Sequence, residues 1–87
     1  MRYTRNSNVK WNIDSTGNLI IICNNSIYEI EGFFVEVWKR LDDMLEFEQI
    51  LENCKEIFEE LPDDFPNMLN SEIERGVLES YIIKIEK

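Results

Sequence analysis

The spacing of apolar residues changes character once along this chain. In the first third, apolar residues mostly alternate with polar ones, as they do in a β-strand with one buried face. From there onwards they recur at every third and fourth position, which is typical of one face of an α-helix. The change falls at a single glycine, Gly32. The pattern therefore predicts a small antiparallel sheet that leads into a set of helices.

Three strands are predicted before that glycine. The first, residues 9–14, has three apolar residues on one face, and the second, 19–23, is apolar on both faces. A strand of the second kind is typically covered on both sides. The third strand is expected over residues 26–31, after Asn24-Asn25, because Asn tolerates the positive φ of a tight hairpin. Neighbouring strands would then form a meander whose outer strands are the first and the third.

Three helices are predicted after the glycine. The first, 32–42, and the second, 46–61, each carry one continuous apolar stripe. The third, 65–76, begins near Pro66 with an acidic residue before it as a cap. We expect it to end at Gly76, since glycine is the usual residue just past a helix C-terminus. The stripe of the first helix consists of Phe34, Val37, Trp38 and Leu41.

The two ends of the chain differ in pattern. Residues 1–7 are polar and show no periodicity, so we predict a flexible arm followed by a single domain over 8–87. Residues 81–85 have the composition of a short C-terminal strand. Two interpretations of that strand stay open: an extra edge that completes the sheet, or a segment that competes for a ligand groove. The fold class expected from these elements is α+β.

Charge narrows the range of partners. The chain of 87 residues has a net charge of −9, and its first ten residues hold three basic residues and no acidic one. Residues 11–87 therefore carry six basic against eighteen acidic residues. Such a surface repels phosphate, so we expect no nucleic acid and favour a cationic or neutral polypeptide as partner. The alternative is that the acidic surface only keeps the protein soluble.

Several kinds of chemistry have no residues to support them. The sequence has no histidine, the commonest general base, and its three glycines do not form a phosphate-binding loop. Cys23 and Cys54 are expected to be buried apolar residues in a reducing cytosol, and they offer no zinc site. No run of 18 apolar residues predicts a membrane span, and no signal peptide is evident. We therefore expect a cytoplasmic binding domain, without enzymatic activity, metal or cofactor.

A set of these positions resembles a known family. The run Asn18-Leu19-Ile20-Ile21-Ile22, followed by Tyr28-x-Ile30-x-Gly32-x-x-x-x-x-Trp38-x-x-Leu41-Asp42, resembles the PqqD-like proteins, which are also called RiPP recognition elements. Glu48-Gln49-Ile50 and Arg75-Gly76-Val77-Leu78-Glu79 extend the likeness over roughly residues 9–79. The family often has Asp-Gly after the first helix and Ser or Thr capping the second, where this chain has Asp42-Asp43 and Glu46.

The resemblance implies a winged-helix-turn-helix-like domain that binds the leader segment of a ribosomally synthesised precursor peptide. The leader would lie as an added strand against the third strand, facing the third helix. The domain would act as a peptide chaperone for a processing enzyme, such as a leader peptidase of a lasso-peptide cluster or a radical-SAM maturase. It would be a monomer or a weak dimer. By position, the predicted leader-binding residues are Ile27, Tyr28, Glu29, Ile30, Met68, Leu69, Glu72, Ile73 and Arg75. For Leu69 and Ile73, plain core packing is an equal alternative.

Two other classes of protein are compatible with the same elements. A winged-helix DNA-binding protein needs a basic recognition helix, but residues 65–76 hold one Arg against two Glu. An acidic interaction or inhibitor domain would instead bind a basic partner through the charged face of the second helix. In that case charge reversal at Glu52 and Glu56 would abolish binding, while changes at Tyr28 and Met68 would not. The face consists of Glu48, Glu52, Glu56, Glu59 and Glu60.

Overall fold

A computed structural model describes residues 1–86, which form an α+β fold with two three-stranded antiparallel sheets and three helices. The α+β class is thereby confirmed. The strands are β1 (Arg2–Arg5), β2 (Lys10–Ile13), β3 (Leu19–Cys23), β4 (Ser26–Ile30), β5 (Leu45–Glu46) and β6 (Ile82–Ile85). The helices are α1 (Phe34–Lys39), α2 (Phe47–Ile57) and α3 (Phe65–Leu78).

The predicted meander is confirmed, and we call it the hairpin sheet: strands β2, β3 and β4 in that order. Its tight hairpin is closed by the pair Cys23 and Ser26. Asn24 and Asn25 between them have φ angles of 52° and 65°. Positive φ at both loop residues defines the type I′ turn, whose twist matches that of the flanking strands.

Only one face of β3 is covered, which corrects the expectation that both are. Leu19 and Ile21 are fully buried, whereas Ile22 on the opposite face keeps 45% of its surface exposed. The covered face belongs to the same core as the buried side chains of the helices, whereas on the other face Ile20 is half-buried and Ile22 is exposed. The prediction was wrong because an unbroken apolar run can also belong to a strand with one exposed face.

The expected flexible arm is instead the central strand of a second sheet, which we call the end sheet. Its order is β5, β1, β6. Residues 2–5 pair with β6 on one side, from Arg2 with Ile85 to Arg5 with Ile82, and with β5 on the other. Tyr3 is 5% exposed. Strand β6 therefore neither extends the meander nor lies along β4, so both interpretations of the C-terminal strand are corrected.

Two helices are shorter than the sequence predicted. The turns around α1 use hydrogen bonds from residue i to i−3, so only its middle is α-helical, although its whole apolar stripe is buried as predicted. Helix α2 ends because Phe58 is extended, with φ −104° and ψ 133°. Pro62 further restricts Leu61 to extended conformations. Glu46 precedes α2, and its backbone N–H donates to Gln49 Oε1 at 2.8 Å.

Helix α3 runs past Gly76, which corrects the prediction that the helix ends there. Gly76 is a buried position inside the helix. A Cβ at this position would lie 2.5 Å from Cδ1 of Ile82 and 2.9 Å from Cε1 of Tyr81. The glycine is therefore needed for close packing of the chain that follows α3. The left-handed conformation that turns the chain belongs to Ser80, with φ 74°.

Candidate functional site

A groove of about 320 Å³ lies between β4 and the side of α3, and we call it the β4–α3 groove. One wall is the strand and the segment just after it. The other wall consists of side chains from α3 and from the turn that leads to β6. The lining residues are Ile27, Tyr28, Glu29, Ile30, Glu31, Glu72, Arg75 and Tyr81.

Strand β4 has a free edge along this groove because it is an outer strand of the hairpin sheet. The closing pair of a two-residue hairpin is hydrogen-bonded, and such pairs alternate along an antiparallel ladder. From the pairing of Cys23 with Ser26, the backbone groups of Ser26, Tyr28 and Ile30 point toward β3. The backbone N–H and C=O groups of Ile27 and Glu29 therefore point toward the free edge.

The side chain of Tyr28 ties β4 to the end of α3. Its hydroxyl donates to Glu79 Oε1 at 2.9 Å, and its ring lies 5.3 Å from that of Tyr81. The hydrogen bond to Glu79 is the main reason that the pKa of Tyr28 is raised. Ile30, on the same face, packs against the core, whereas Ile27 on the other face is 72% exposed. Tyr28 and Ile30 thus fix β4 in place, and Ile27 is available to a ligand.

The groove is acidic, with one cation. Glu29, Glu31 and Glu72 outnumber Arg75. Asn18 Nδ2 donates to Glu29 Oε2 at 3.1 Å, which holds one of these carboxylates at the strand. Within residues 1–86, Arg75 has no carboxylate oxygen within 4.0 Å, although Glu72 is one helical turn away. The groove therefore favours a cationic or neutral ligand and has one guanidinium free to donate to it.

Tyr81 is the most deeply buried of the residues that line the groove. It is 1% exposed, and burial raises its pKa to about 12, with smaller opposing effects from Arg75 and from Glu72. The hydroxyl is therefore protonated at neutral pH. The charges of Arg75, Glu72 and Glu79 also influence this pKa, and Arg75 and Glu72 line the groove together with Tyr81.

The structure brings together most of the predicted site residues. Four residues of β4 line the groove as predicted, and from α3 so do Glu72 and Arg75. Met68 lies at the surface and does not line it. Leu69 and Ile73 are 0% exposed, which corrects the prediction that they contact the peptide and supports the core-packing alternative. Helical spacing cannot by itself separate the groove-facing side of α3 from its core-facing side.

Glu31 and Tyr81 also line the groove but were not among the predicted site residues. Glu31 continues the strand that carries the other contacts, so the extent of the strand is the signal for it. Tyr81 was assigned to a strand, and nothing local indicates its role, because its position depends on the packing of Gly76 against the following segment.

Three further observations concern chemistry at other sites. Among residues 1–86, no group of three or more His, Cys, Asp or Glu side chains is arranged to hold a metal ion. Cys23 and Cys54 are both buried, as predicted, and burial raises the pKa of Cys54, so its thiol stays protonated. The helices of the described chain are all too short or too polar to cross a membrane.

Comparison with known protein families, curated proteins and solved structures finds no match for this chain. The likeness to PqqD-like proteins and the winged-helix-like arrangement therefore stay predictions.

Proposed function

We propose that this protein binds an extended peptide along the free edge of β4, and that the peptide is the leader segment of a ribosomally synthesised precursor. The observation that carries the proposal is that the free edge of β4 borders the β4–α3 groove. A free edge presents unpaired backbone groups, and an added strand satisfies them. The resemblance to RiPP recognition elements supports the leader and its processing enzyme as the specific partners.

Backbone pairing would supply affinity, and side-chain contacts would supply selection. Ile27 and Glu29 offer two N–H and two C=O groups to the peptide, spaced two residues apart. Glu31 and Glu72 favour a peptide that carries basic or neutral residues. The exposed side chain of Ile27 offers an apolar contact on the solvent side of the strand.

A titration tests this proposal. The labelled leader of the precursor encoded nearest the gene is added to the protein and binding is followed by fluorescence anisotropy, with a scrambled leader as control. We expect saturable binding at about micromolar or tighter for the leader, equivalent to about 8 kcal/mol. Equal or absent binding of both peptides would contradict leader recognition.

Two variants locate the peptide. Ile30→Asp should weaken binding, but Ile30 packs against the core, so this change also endangers the fold. Ile27→Asp is the safer variant, because Ile27 is mostly exposed and the change replaces its apolar contact with a hydrated carboxylate that would have to be desolvated on binding. We expect a loss of affinity without a change in the unfolding midpoint.

The acidic face of α2 provides the control for the competing function. Glu52 and Glu56 are exposed there, and Glu52 Oε2 lies 3.1 Å from Nζ of Lys55. Reversing both charges to Lys should leave leader binding unchanged. Loss of leader binding in this variant, with Ile27→Asp unaffected, would favour the acidic interaction domain instead.

A further inference from the structure

Tyr81 differs from the other two tyrosines of this chain in the hydrogen bonding of its hydroxyl. Tyr3 donates its hydroxyl to Glu74 at 3.3 Å, and Tyr28 donates to Glu79 at 2.9 Å. The hydroxyl of Tyr81 makes no hydrogen bond to any described residue, and although the ring is almost wholly buried, the hydroxyl oxygen itself keeps contact with solvent. In the free protein this hydroxyl can bond only to water, and a ligand that displaces that water loses affinity unless it replaces the hydrogen bond.

The place where such a ligand would lie is the β4–α3 groove, since Tyr81 lines it. Arg75 lines the same end, and its guanidinium also lacks a carboxylate among residues 1–86. Two neighbouring donors therefore face the groove unused, in a chain with twice as many acidic as basic residues. Glu72, one turn before Arg75, adds an acceptor.

An added strand leaves half of its backbone groups unpaired. The groups on its near edge bond to β4, while those on its far edge point away, toward α3. Along that far edge, N–H and C=O groups recur every second residue, about 7 Å apart. Where the α3 wall covers that edge, these groups lose contact with water and require partners.

We propose that the hydroxyl of Tyr81 and the guanidinium of Arg75 donate to far-edge carbonyl groups of the bound peptide, so that the groove holds the peptide backbone from both sides. This inference rests on the proposed strand addition to β4. It makes the α3 wall a recognition surface for peptide backbone as well as for side chains. The surrounding carboxylates disfavour an anionic side chain as the acceptor, which leaves neutral carbonyl groups.

The first experiment removes the two donors one at a time in the full chain. Tyr81→Phe should raise the Kd for the labelled leader about 2- to 10-fold, as expected for one neutral hydrogen bond. Arg75→Met keeps the apolar stem and should raise it about tenfold. Because the free protein makes no internal bond with the Tyr81 hydroxyl, its unfolding midpoint in urea should not fall.

Tyr3→Phe is the matched control, since it also removes the hydroxyl of a buried tyrosine. It loses the bond to Glu74, so its unfolding midpoint should fall while its affinity for the leader stays unchanged. The opposite responses of the two tyrosines separate peptide binding from general stability.

The second experiment asks whether the acceptor is backbone. Single amide bonds of the leader are replaced by ester bonds, whose carbonyl is a weaker acceptor. At one position, the loss caused by Tyr81→Phe should shrink in the ester peptide, as in a double-mutant cycle. A loss that no ester alters, but that a single side-chain replacement removes, would overturn the backbone assignment.

The failures are distinguishable. If the wild-type protein binds the leader and both variants bind within twofold of it, the proposed hydrogen bonds from Tyr81 and Arg75 to the peptide are wrong. The proposed strand addition to β4 then still stands. If the wild-type protein does not bind the leader, the proposed function fails and the inference fails with it.

Discussion

The hairpin sheet and the end sheet have the same number of strands but are assembled from differently spaced segments. The strands of the hairpin sheet follow one another within residues 10–30. The end sheet joins residues 2–5 to residues 82–85, with a two-residue strand from the middle of the chain on the other side. The hairpin sheet is thus encoded locally, while the end sheet requires nearly the whole chain to be in place.

The two sheets also differ at their edges. An edge strand is normally protected by shortness, by lysine or by proline. In the end sheet, β5 is two residues long and β6 carries Lys84, whose Nζ lies 3.5 Å from Glu74 Oε2. In the hairpin sheet, β2 carries Lys10, but β4 has neither lysine nor proline. The edge strand without lysine or proline, whose one charged residue is Glu29, borders the groove, as the proposed strand addition to β4 would require.

The largest expected effect separates these roles at the end sheet. Tyr3→Ala should lower the free energy of unfolding by about 3 kcal/mol, because it removes a buried aromatic ring and leaves a cavity. Urea denaturation measures the loss, with Tyr3→Phe as the control at about 1 kcal/mol. Affinity for the leader should be unchanged under conditions where the variant is folded. A loss below that of the control would restore the view of residues 1–7 as an arm.

The next effect concerns the junction between α3 and the end sheet. Gly76→Ala should destabilise the protein by about 2 kcal/mol, since the new methyl group overlaps buried atoms of Ile82 and Tyr81. Ser71→Ala, at an exposed position of the same helix, should instead stabilise it by about 0.5 kcal/mol through helix propensity. Thermal unfolding of both proteins checks the pair. Equal stabilisation would mean that the segment after α3 packs less closely.

A smaller effect is expected at the edge of the hairpin sheet. Ile27→Pro removes an N–H that points toward the free edge, so it should weaken leader binding about tenfold. Ile27→Thr keeps the amide and the β-branched shape and serves as the control. Isothermal titration calorimetry with the leader measures both. Equal losses would mean that the side chain of Ile27, and not its backbone, contacts the peptide.

The smallest effect is on stability at alkaline pH, and it is absent at neutral pH. Burial raises the pKa of Tyr81 from 10.0 to about 12, so above pH 10 the unfolded chain loses this proton more readily than the folded protein. The contribution of Tyr81 to stability should therefore be constant below about pH 10 and should be lost as the pH rises toward 12. Tyr81→Phe should reduce that loss in a series of urea titrations. If stability falls with pH just as steeply in Tyr81→Phe, the loss of stability at high pH belongs to other tyrosines.

The sequence predicted those parts of the fold that depend on neighbouring residues. The type I′ hairpin and the buried stripe of α1 follow from local spacing, and both are found. Residues 2–5 have no apolar alternation, because Tyr3 is the single buried residue among them and their pairing partners lie about eighty residues away. Gly76 was misassigned for a related reason: glycine at a helix end and glycine under a close contact look identical in sequence.

In the candidate site, too, the parts that depend on neighbouring residues could be predicted and the parts that depend on distant contacts could not. The wall formed by β4 could be predicted, since side chains alternate between the two faces of a strand and residues two apart therefore share a face. Its helix wall could be predicted only in part, because Leu69 and Ile73 share the helical spacing of the residues that line the groove. Tyr81 could not be predicted, because it reaches the groove through the turn at Ser80.

Because Tyr81 lies directly before β6, the order in which the chain is synthesised affects when the groove can form. During synthesis, residues 2–5 leave the ribosome long before residues 82–85, the strand with which they pair. Tyr81 and Ile82 pack together against Gly76 of α3, so the wall that contains Tyr81 is fully packed only once β6 is in place. The hairpin and its free edge can form before residues 82–85 are made, whereas the end sheet cannot. Under the proposed function, a chain that still lacks residues 82–85 would therefore present the free edge of β4 without the complete groove.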